Sequence, residues 1–78
     1  MNLVLNSFGA SLTKKDGLFY VQTSETTQSI NPADVKTIMV SRGAKISSDA
    51  ILLAIGNEID VLFVDELGKP KGRVWSVQ

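Results

Sequence analysis

The side chains of this chain that could take part in acid–base or metal chemistry are carboxylates, lysines, arginines and hydroxyls. Its 78 residues include no histidine and no cysteine, which removes the commonest general base and the usual ligands of zinc. One adjacent carboxylate pair, Asp65-Glu66, follows an apolar strand, a position typical of acid–base and metal sites in α/β enzymes. Neighbouring residues of a strand point to opposite faces, however, so the two carboxylates do not converge. We interpret them as a strand end at the surface, and predict no catalytic residue, cofactor or metal in this chain.

Positive charge is concentrated in two short segments. Arg42 and Lys45 flank a Gly-Ala pair, and Lys69, Lys71 and Arg73 lie close together near the C-terminus. Each segment fits either contacts with phosphate groups, which position a nucleic acid without reading its sequence, or an ordinary solvated turn. Eight basic residues balance eight acidic ones, whereas a stand-alone DNA-binding domain is normally basic. The charge balance therefore argues against tight binding of nucleic acid by this chain alone.

These candidates must be positioned by a strand and a helix in the second half of the chain. Residues 61–64 are apolar at every position, which predicts a strand covered on both faces. Residues 50–55 are also all apolar and predict a short, largely enclosed helix. Ser47 or Ser48 is its expected N-cap, and Gly56 is its expected left-handed stop.

The first half predicts short strands separated by turns. Asp16-Gly17 suits a tight hairpin turn, and Asn31 is a possible N-cap for a single helical turn over residues 32–35. The predicted strands cover residues 3–6, 10–13, 18–23, 28–30, 37–41, 61–64 and 73–77. If strands 37–41 and 61–64 share a sheet, they are parallel with a right-handed crossover. The predicted fold is α+β and mostly β: an N-terminal β-meander of hairpins, then a strand–short helix–strand unit, in a single β-rich domain over residues 1–78.

No apolar run approaches the length that crosses a bilayer, and the N-terminus lacks the basic start and cleavage site of a signal peptide. We expect a cytoplasmic protein with no membrane partner. The single tryptophan, Trp75, either anchors a partner or completes the core.

The order of these segments resembles the N-terminal β-domain of the CRISPR-associated integrase family, CRISPR-associated protein one, which captures spacers. The family pattern reads roughly I-P-x-x-D-V-x-x-I-x-V, then a helix opening I-S-x-x-A, then a strand I-x-V-x-F-x-D. The matching residues are Ile30, Pro32, Asp34, Val35, Ile38, Val40, Ile46, Ser47, Ala50, Ile59, Val61, Phe63 and Asp65. Asn31 departs from the pattern by one inserted residue, and Gly68 and Gly72-Arg73 also fit it.

The resemblance implies antiviral defence through spacer acquisition by a metal-dependent DNA endonuclease and integrase. Family members hold a divalent metal, magnesium or manganese, on a Glu, a His and an Asp of a helical C-terminal domain. None of those positions exists in this chain, so we expect the metal and the catalysis in a domain that these residues do not include. The β-domain would contribute homodimerisation and part of a surface for double-stranded DNA, with CRISPR-associated protein two as protein partner.

Within that resemblance, the DNA-binding candidates are Phe8, Arg42, Lys45, Lys69, Lys71 and Arg73. Phe8 lies in the turn Asn6-Ser7-Phe8-Gly9, near which some family members carry an aromatic that stacks on the end of a DNA duplex. Its ordinary alternative is a ring folded onto the meander core.

Two other functions also fit the sequence. A small oligomerisation or interaction module of an unrelated multidomain protein is compatible with the neutral charge and the missing catalytic groups. A self-contained enzyme is the third, although the sequence offers no nucleophile–base pair for it.

Overall fold

The computed structural model describes residues 1–65 and 70–74. Over these ranges the chain forms two four-stranded sheets and one α-helix. The elements are β1 (Asn2–Leu5), β2 (Ser11–Lys15), β3 (Leu18–Gln22), β4 (Thr27–Ile30), a 3₁₀ turn (Pro32–Asp34), β5 (Thr37–Ser41), β6 (Lys45–Ile46), α1 (Ser48–Gly56), β7 (Asp60–Val64) and β8 (Pro70–Val74). The predicted fold class, α+β and mostly β, is confirmed.

The first sheet, which we call the mixed sheet, has the strand order β1-β5-β7-β8. β5 runs parallel to both β1 and β7, as predicted for β5 and β7, and β8 is antiparallel to β7. The second, the hairpin sheet, has the order β4-β3-β2-β6, with two antiparallel pairings and a short parallel pairing of β6 to β2. β2, β3 and β4 form the predicted meander.

The predicted place of the first strand in that meander is wrong. β1 pairs with β5 in the mixed sheet, with Leu3 opposite Ile38 and Leu5 opposite Val40. Leu3 and Leu5 are buried while the alternate residues of β1 are exposed. A strand with this alternation can bury its apolar face in either sheet. The local sequence of β1 therefore does not determine which strand it pairs with.

The hairpin between β2 and β3 is tighter than predicted. The connection consists of Asp16 at φ 54° and Gly17 at φ 76°, the two positive φ angles of a type I′ turn. Lys14 and Lys15, predicted to belong to the connection, continue β2 opposite Phe19 and Leu18. The two-residue turn keeps the strands in register to their last pair.

One core joins the two sheets and the helix. Within the described ranges, its largest fully buried side chains come from both sheets and from the segment that leads into β7: Phe19, Leu12, Ile38, Ile59 and Val61. Ala50 and Ala54 of α1 pack into the same cluster. The hairpin sheet and the mixed sheet are therefore held by shared apolar packing.

α1 begins as predicted but is less enclosed than predicted. The Ser47 hydroxyl accepts a hydrogen bond from the Ala50 amide at 3.1 Å. Only Ala50 and Ala54 are fully buried, and Leu52 is 64% exposed. A helix whose buried face is two alanines approaches the sheets closely, and its larger side chains are then left at the sides and outside.

The end of α1 also differs from the prediction. Gly56 is the last helical residue, and the positive φ, 59°, belongs to Glu58. The amide group of the Asn57 side chain donates to the Leu53 carbonyl at 2.8 Å, and the Asn57 backbone amide donates to Leu53 and Ala54. Asn57 therefore provides hydrogen bonds to the last carbonyl groups of α1. In a helix that stops at a left-handed glycine, the backbone of the following turn provides them instead.

Neither face of β7 is covered along its whole length, which corrects the prediction of a strand covered on both faces. Val61 is fully buried, whereas Leu62 and Phe63 are half-buried. On the face of the mixed sheet opposite Val61, the side chains of Val4, Met39 and Leu62 stand side by side in register. We call these three residues the outer row. Val4 is 48% exposed, so the outer row is both apolar and accessible, and Arg73 of β8 stands next to Leu62 at its end.

The smaller elements agree with local sequence chemistry. The Asn31 carboxamide oxygen accepts from the Ala33 amide at 2.9 Å, and Pro32 occupies the first position of the 3₁₀ turn, as predicted. β6 is short and was not predicted, and β8 begins three residues before the predicted last strand. Trp75 lies outside the described residues. At nine residues, α1 is much too short to cross a bilayer, and no other helix in the described ranges reaches that length.

Candidate nucleic-acid interface

The topology of the mixed sheet places the Phe8 turn beside the first basic segment. The Phe8 turn, residues 6–9, follows β1, and the basic loop, residues 42–45, follows β5. β1 and β5 are parallel neighbours with Leu5 opposite Val40, so their carboxyl ends lie at the same edge of the sheet. Two of the predicted DNA-binding segments therefore lie side by side.

Backbone hydrogen bonds fasten the two segments together. The Gly9 amide donates to the Gly43 carbonyl at 2.9 Å, and the Lys45 amide donates to the Ala10 carbonyl at 2.8 Å. Each segment also closes a turn of its own, from the Ala10 amide to Ser7 and from the Ala44 amide to Ser41. The relative position of Phe8 and the basic loop is thus set by main-chain contacts.

Phe8 does not fold back onto the core. The residue is 92% exposed, which removes the ordinary alternative raised by the sequence. An aromatic side chain this exposed contributes almost nothing to burial, whereas a base or a partner surface could stack on it. The structure leaves the role of Phe8 in DNA binding a prediction, and it provides the accessibility that this role requires.

The basic loop presents its charges to solvent beside an open pocket. The side chains of Arg42 and Lys45 are exposed. The pocket has a volume of about 550 Å³ and is lined by residues 40–46 together with Phe63 and Val64. The lining combines the two cations with apolar residues such as Val40, Ile46 and Phe63, so a phosphate group at this pocket would meet positive charge.

The second basic cluster is divided between carboxylate partners. Arg73 donates to the Asp60 carboxylate at 2.5 Å, and Lys71 lies 4.0 Å from that of Asp65. Lys69 lies outside the described residues. Because neighbouring carboxylates already balance these charges, Lys71 and Arg73 are weaker candidates for phosphate contacts than Lys45, although their role stays a prediction.

The carboxylates do not form the donor set of a divalent metal. In residues 1–65 and 70–74 no three Asp, Glu, His or Cys residues lie close enough together to hold an ion. Asp60 and Asp65 stand at opposite ends of β7, and each faces a basic side chain of β8. The described residues therefore do not fit the metal that the family resemblance implies.

One contributor to the site was missed from the sequence. Gly43 was interpreted only as a turn residue, yet the edge of the Phe8 ring lies where a side chain at position 43 would begin. The sequence offers the Gly43-Ala44 pair in a basic loop as its only signal, which predicts a turn and not a contact with a residue 35 positions earlier.

Comparisons with known proteins agree with this fold. The family model described as CRISPR associated protein Cas1 matches residues 3–78. The CRISPR-associated endonuclease Cas1 1 of Archaeoglobus fulgidus is 37% identical over 75 residues, which are 95% of this chain and 22% of that protein.

Two solved structures have the same fold. A crystal structure of a complex of the protein TtCas1 with DNA superposes with a TM-score of 0.82 at 17% identity, covering 96% of this chain and 29% of that one. A chain of a partial Cas6-RT-Cas1–Cas2 complex gives a TM-score of 0.86 at 19% identity, covering all of this chain and 24% of that one. At these identities the likeness establishes the fold.

The matched region, from the first strand to the C-terminus, corresponds to an N-terminal β-domain of the kind that Cas1 proteins carry. The chain belongs to the Cas1 family of CRISPR-associated proteins. It spans less than a quarter of the length of the Archaeoglobus relative.

Proposed function

We propose that this domain is a non-catalytic part of a CRISPR adaptation integrase, and that it receives the end of a DNA duplex on Phe8 and the adjoining phosphates on the basic loop. The observation that carries the proposal is the almost fully exposed Phe8 ring, fastened by the backbone beside Arg42 and Lys45. Aromatic rings stack on bases irrespective of sequence, and exposed cations bind phosphates irrespective of sequence. Together they suit an enzyme that must accept fragments of any sequence.

Lys45 is the first test of the phosphate contact. We expect Lys45→Ala to reduce the slope of log K against log salt by about 0.9, because one fewer phosphate would be neutralised. The measurement is fluorescence anisotropy of a labelled duplex at several low salt concentrations, since a chain of zero net charge should bind only weakly at physiological salt.

Lys36→Ala is the matched control for Lys45→Ala. Lys36 is also exposed, but it precedes β5, whereas the basic loop follows it. The two lysines are therefore separated by the length of this strand, roughly 17 Å. If both substitutions change the slope equally, or if neither does, the basic loop is not the phosphate site.

We also propose that the domain forms a homodimer in which a second copy covers the outer row. Parallel strands are normally buried on both faces, yet Val4 remains 48% exposed beside Met39 and Leu62. Among the strands of residues 1–65 and 70–74, β1 is in addition an edge strand of the mixed sheet, and the free side of an edge strand presents backbone groups that can pair with a second chain. An apolar row that adjoins such an edge is suited to self-association.

Val4→Lys should convert the dimer to a monomer, because a lysine on an edge strand would place a charge in the apolar contact. Sedimentation velocity over a range of concentrations measures the change. Leu52→Lys is the control, since it adds the same charge at another exposed apolar residue, on α1. A dimer that survives Val4→Lys, or one that Leu52→Lys dissociates, would contradict the proposed surface.

The remaining parts of the proposed function rest on the family. Curated relatives are named endonucleases, and we assign that activity, with its magnesium or manganese ion, to parts of the protein other than the described residues. The Cas1–Cas2 complex among the similar structures supports Cas2 as protein partner, and the Cas1–DNA complex supports double-stranded DNA. DNA integration in a prokaryotic defence system would take place in the cytoplasm.

A further inference from the structure

The Phe8 ring is exposed, but one edge of it rests on Gly43. A Cβ added to Gly43 would lie 3.0 Å from Cε2 and 3.3 Å from Cγ of Phe8, and closer still to Cδ2. Carbon atoms at their optimal separation are about 3.5–4.0 Å apart, so this Cβ and the ring cannot occupy these positions together. The ring therefore uses space that exists only because residue 43 has no side chain.

This contact sets Gly43 apart from the other glycines of the described turns. Gly43, Gly9 and Gly17 all adopt positive φ angles, of 88°, 83° and 76°, which suffices to explain a glycine at each of them. A Cβ at Gly9 or Gly17 would meet nothing within 4 Å. At Gly43 two separate features require a glycine, namely the positive φ angle and the approach of the ring. Only the second of them involves Phe8.

Gly43 also holds the backbone next to the ring. Its carbonyl accepts the hydrogen bond from the amide of Gly9, the residue that follows Phe8. One residue therefore contacts both the aromatic ring and the chain that carries it. Gly43 itself lies between Arg42 and Lys45, so the same contacts relate the position of the ring to that of the basic loop.

We propose that Gly43 is the positioning residue for Phe8, and that its bare Cα forms a seat that aims the ring at the terminal base pair of a bound duplex. The inference rests on the proposed function, since it states how the end-stacking ring is oriented. Without the seat, Phe8 would keep its aromatic surface but would sample many directions. Each encounter with a duplex end would then have to order the ring at an entropic cost.

The seat predicts that Gly43→Ala weakens end stacking, because the ring must then be ordered at each encounter with a duplex end. With a duplex that carries 2-aminopurine at its terminal pair, we expect up to about a tenfold weaker affinity for Gly43→Ala, and a loss at least as large for Phe8→Ala. The double variant should bind no more weakly than Phe8→Ala alone, because without the ring the seat has nothing to orient.

Gly17→Ala is the matched control for the backbone. Its φ is also positive and its surroundings are open, so it introduces comparable backbone strain without touching Phe8. Gly17→Ala should leave the affinity for the duplex end unchanged. If it lowers the affinity as much as Gly43→Ala, the effect is general strain in a turn, and the seat is overturned.

A second measurement needs neither DNA nor an alanine at position 43. In the NMR spectrum of the chain, the ring current of Phe8 should shift the α-proton resonances of Gly43, and Phe8→Ala should return them to ordinary values. Unshifted α-protons in the unsubstituted chain would overturn the seat directly.

The two measurements separate the inference from the function beneath it. If Phe8→Ala weakens binding to the duplex end and Gly43→Ala does not, end stacking stands and the seat is overturned. If Phe8→Ala has no effect on binding, the end-stacking function is overturned, and with it the role of the seat in aiming the ring. The α-proton resonances of Gly43 then test the contact between Phe8 and Gly43 by itself: shifted resonances support the contact, and unshifted ones overturn it.

Discussion

Phe19→Ala should destabilise the domain by about 3–5 kcal/mol, the usual cost of truncating a buried phenylalanine. Phe19 is the largest fully buried side chain in the described part of the chain, and it lies in the core shared by the two sheets and α1. Domains of this size are marginally stable, within a general range of about 5–15 kcal/mol. The substitution should therefore consume most of the free energy of unfolding. Urea denaturation followed by far-UV circular dichroism measures it.

Phe8→Ala provides the comparison within the same chain. It removes the same atoms from a side chain that is 92% exposed, and we expect its free energy of unfolding to stay within about 0.5 kcal/mol of the original. A loss below about 2 kcal/mol for Phe19→Ala, or equal losses for the two variants, would contradict the assignment of Phe19 to a common core.

Features that depend on a few neighbouring residues were predictable from the sequence. Asp16-Gly17 predicted the hairpin, Asn31 predicted the cap of the 3₁₀ turn, and Ser47 was one of two predicted caps for α1. In each case the residue type meets a local requirement, either a positive φ angle or an oxygen for a free backbone amide. Such requirements are fulfilled within three or four residues and do not depend on the rest of the fold.

The features that the sequence did not predict depend on distant partners. The alternating residues of β1 permit pairing with either sheet, and only the buried face of β5 determines that Leu3 and Leu5 join the mixed sheet. Continuous apolar runs likewise suggested full enclosure of α1 and β7. Leu52 is nevertheless exposed and Leu62 half-buried, because a small domain has too few layers to cover every apolar residue.

In the candidate site, too, some features were predictable from the sequence and others depend on distant partners. Phe8 and the basic loop could be selected from the residues, with the family resemblance deciding their role. Their adjacency follows from the parallel pairing of β1 with β5, and the seat on Gly43 follows from that adjacency. The carboxylate partners of the second cluster could not be predicted from the sequence, because the pairing of Arg73 with Asp60 depends on the antiparallel register of β7 and β8.

Phe8→Ala should weaken binding to a duplex end by about 1–3 kcal/mol, which corresponds to a range from about fivefold to roughly 150-fold. The ring is exposed, and the basic loop lies beside it. A terminal base pair offers a free aromatic face, and it would stack on the ring while the phosphates meet the loop. We would titrate the chain at low salt into duplexes that carry 2-aminopurine either at the terminal pair or in the middle.

Stacking on Phe8 should quench the terminal probe and leave the internal probe unaffected, because only an end exposes a base face. Phe8→Tyr should retain most of the terminal quenching, since it preserves the ring, whereas Phe8→Leu should lose it although it remains apolar. This contrast separates stacking from general hydrophobic contact. Quenching of the internal probe, or equal binding by Phe8→Tyr and Phe8→Leu, would show that the ring does not receive the duplex end. DNA would then bind this domain through phosphate contacts alone, and binding should be as strong in the middle of a duplex as at its end.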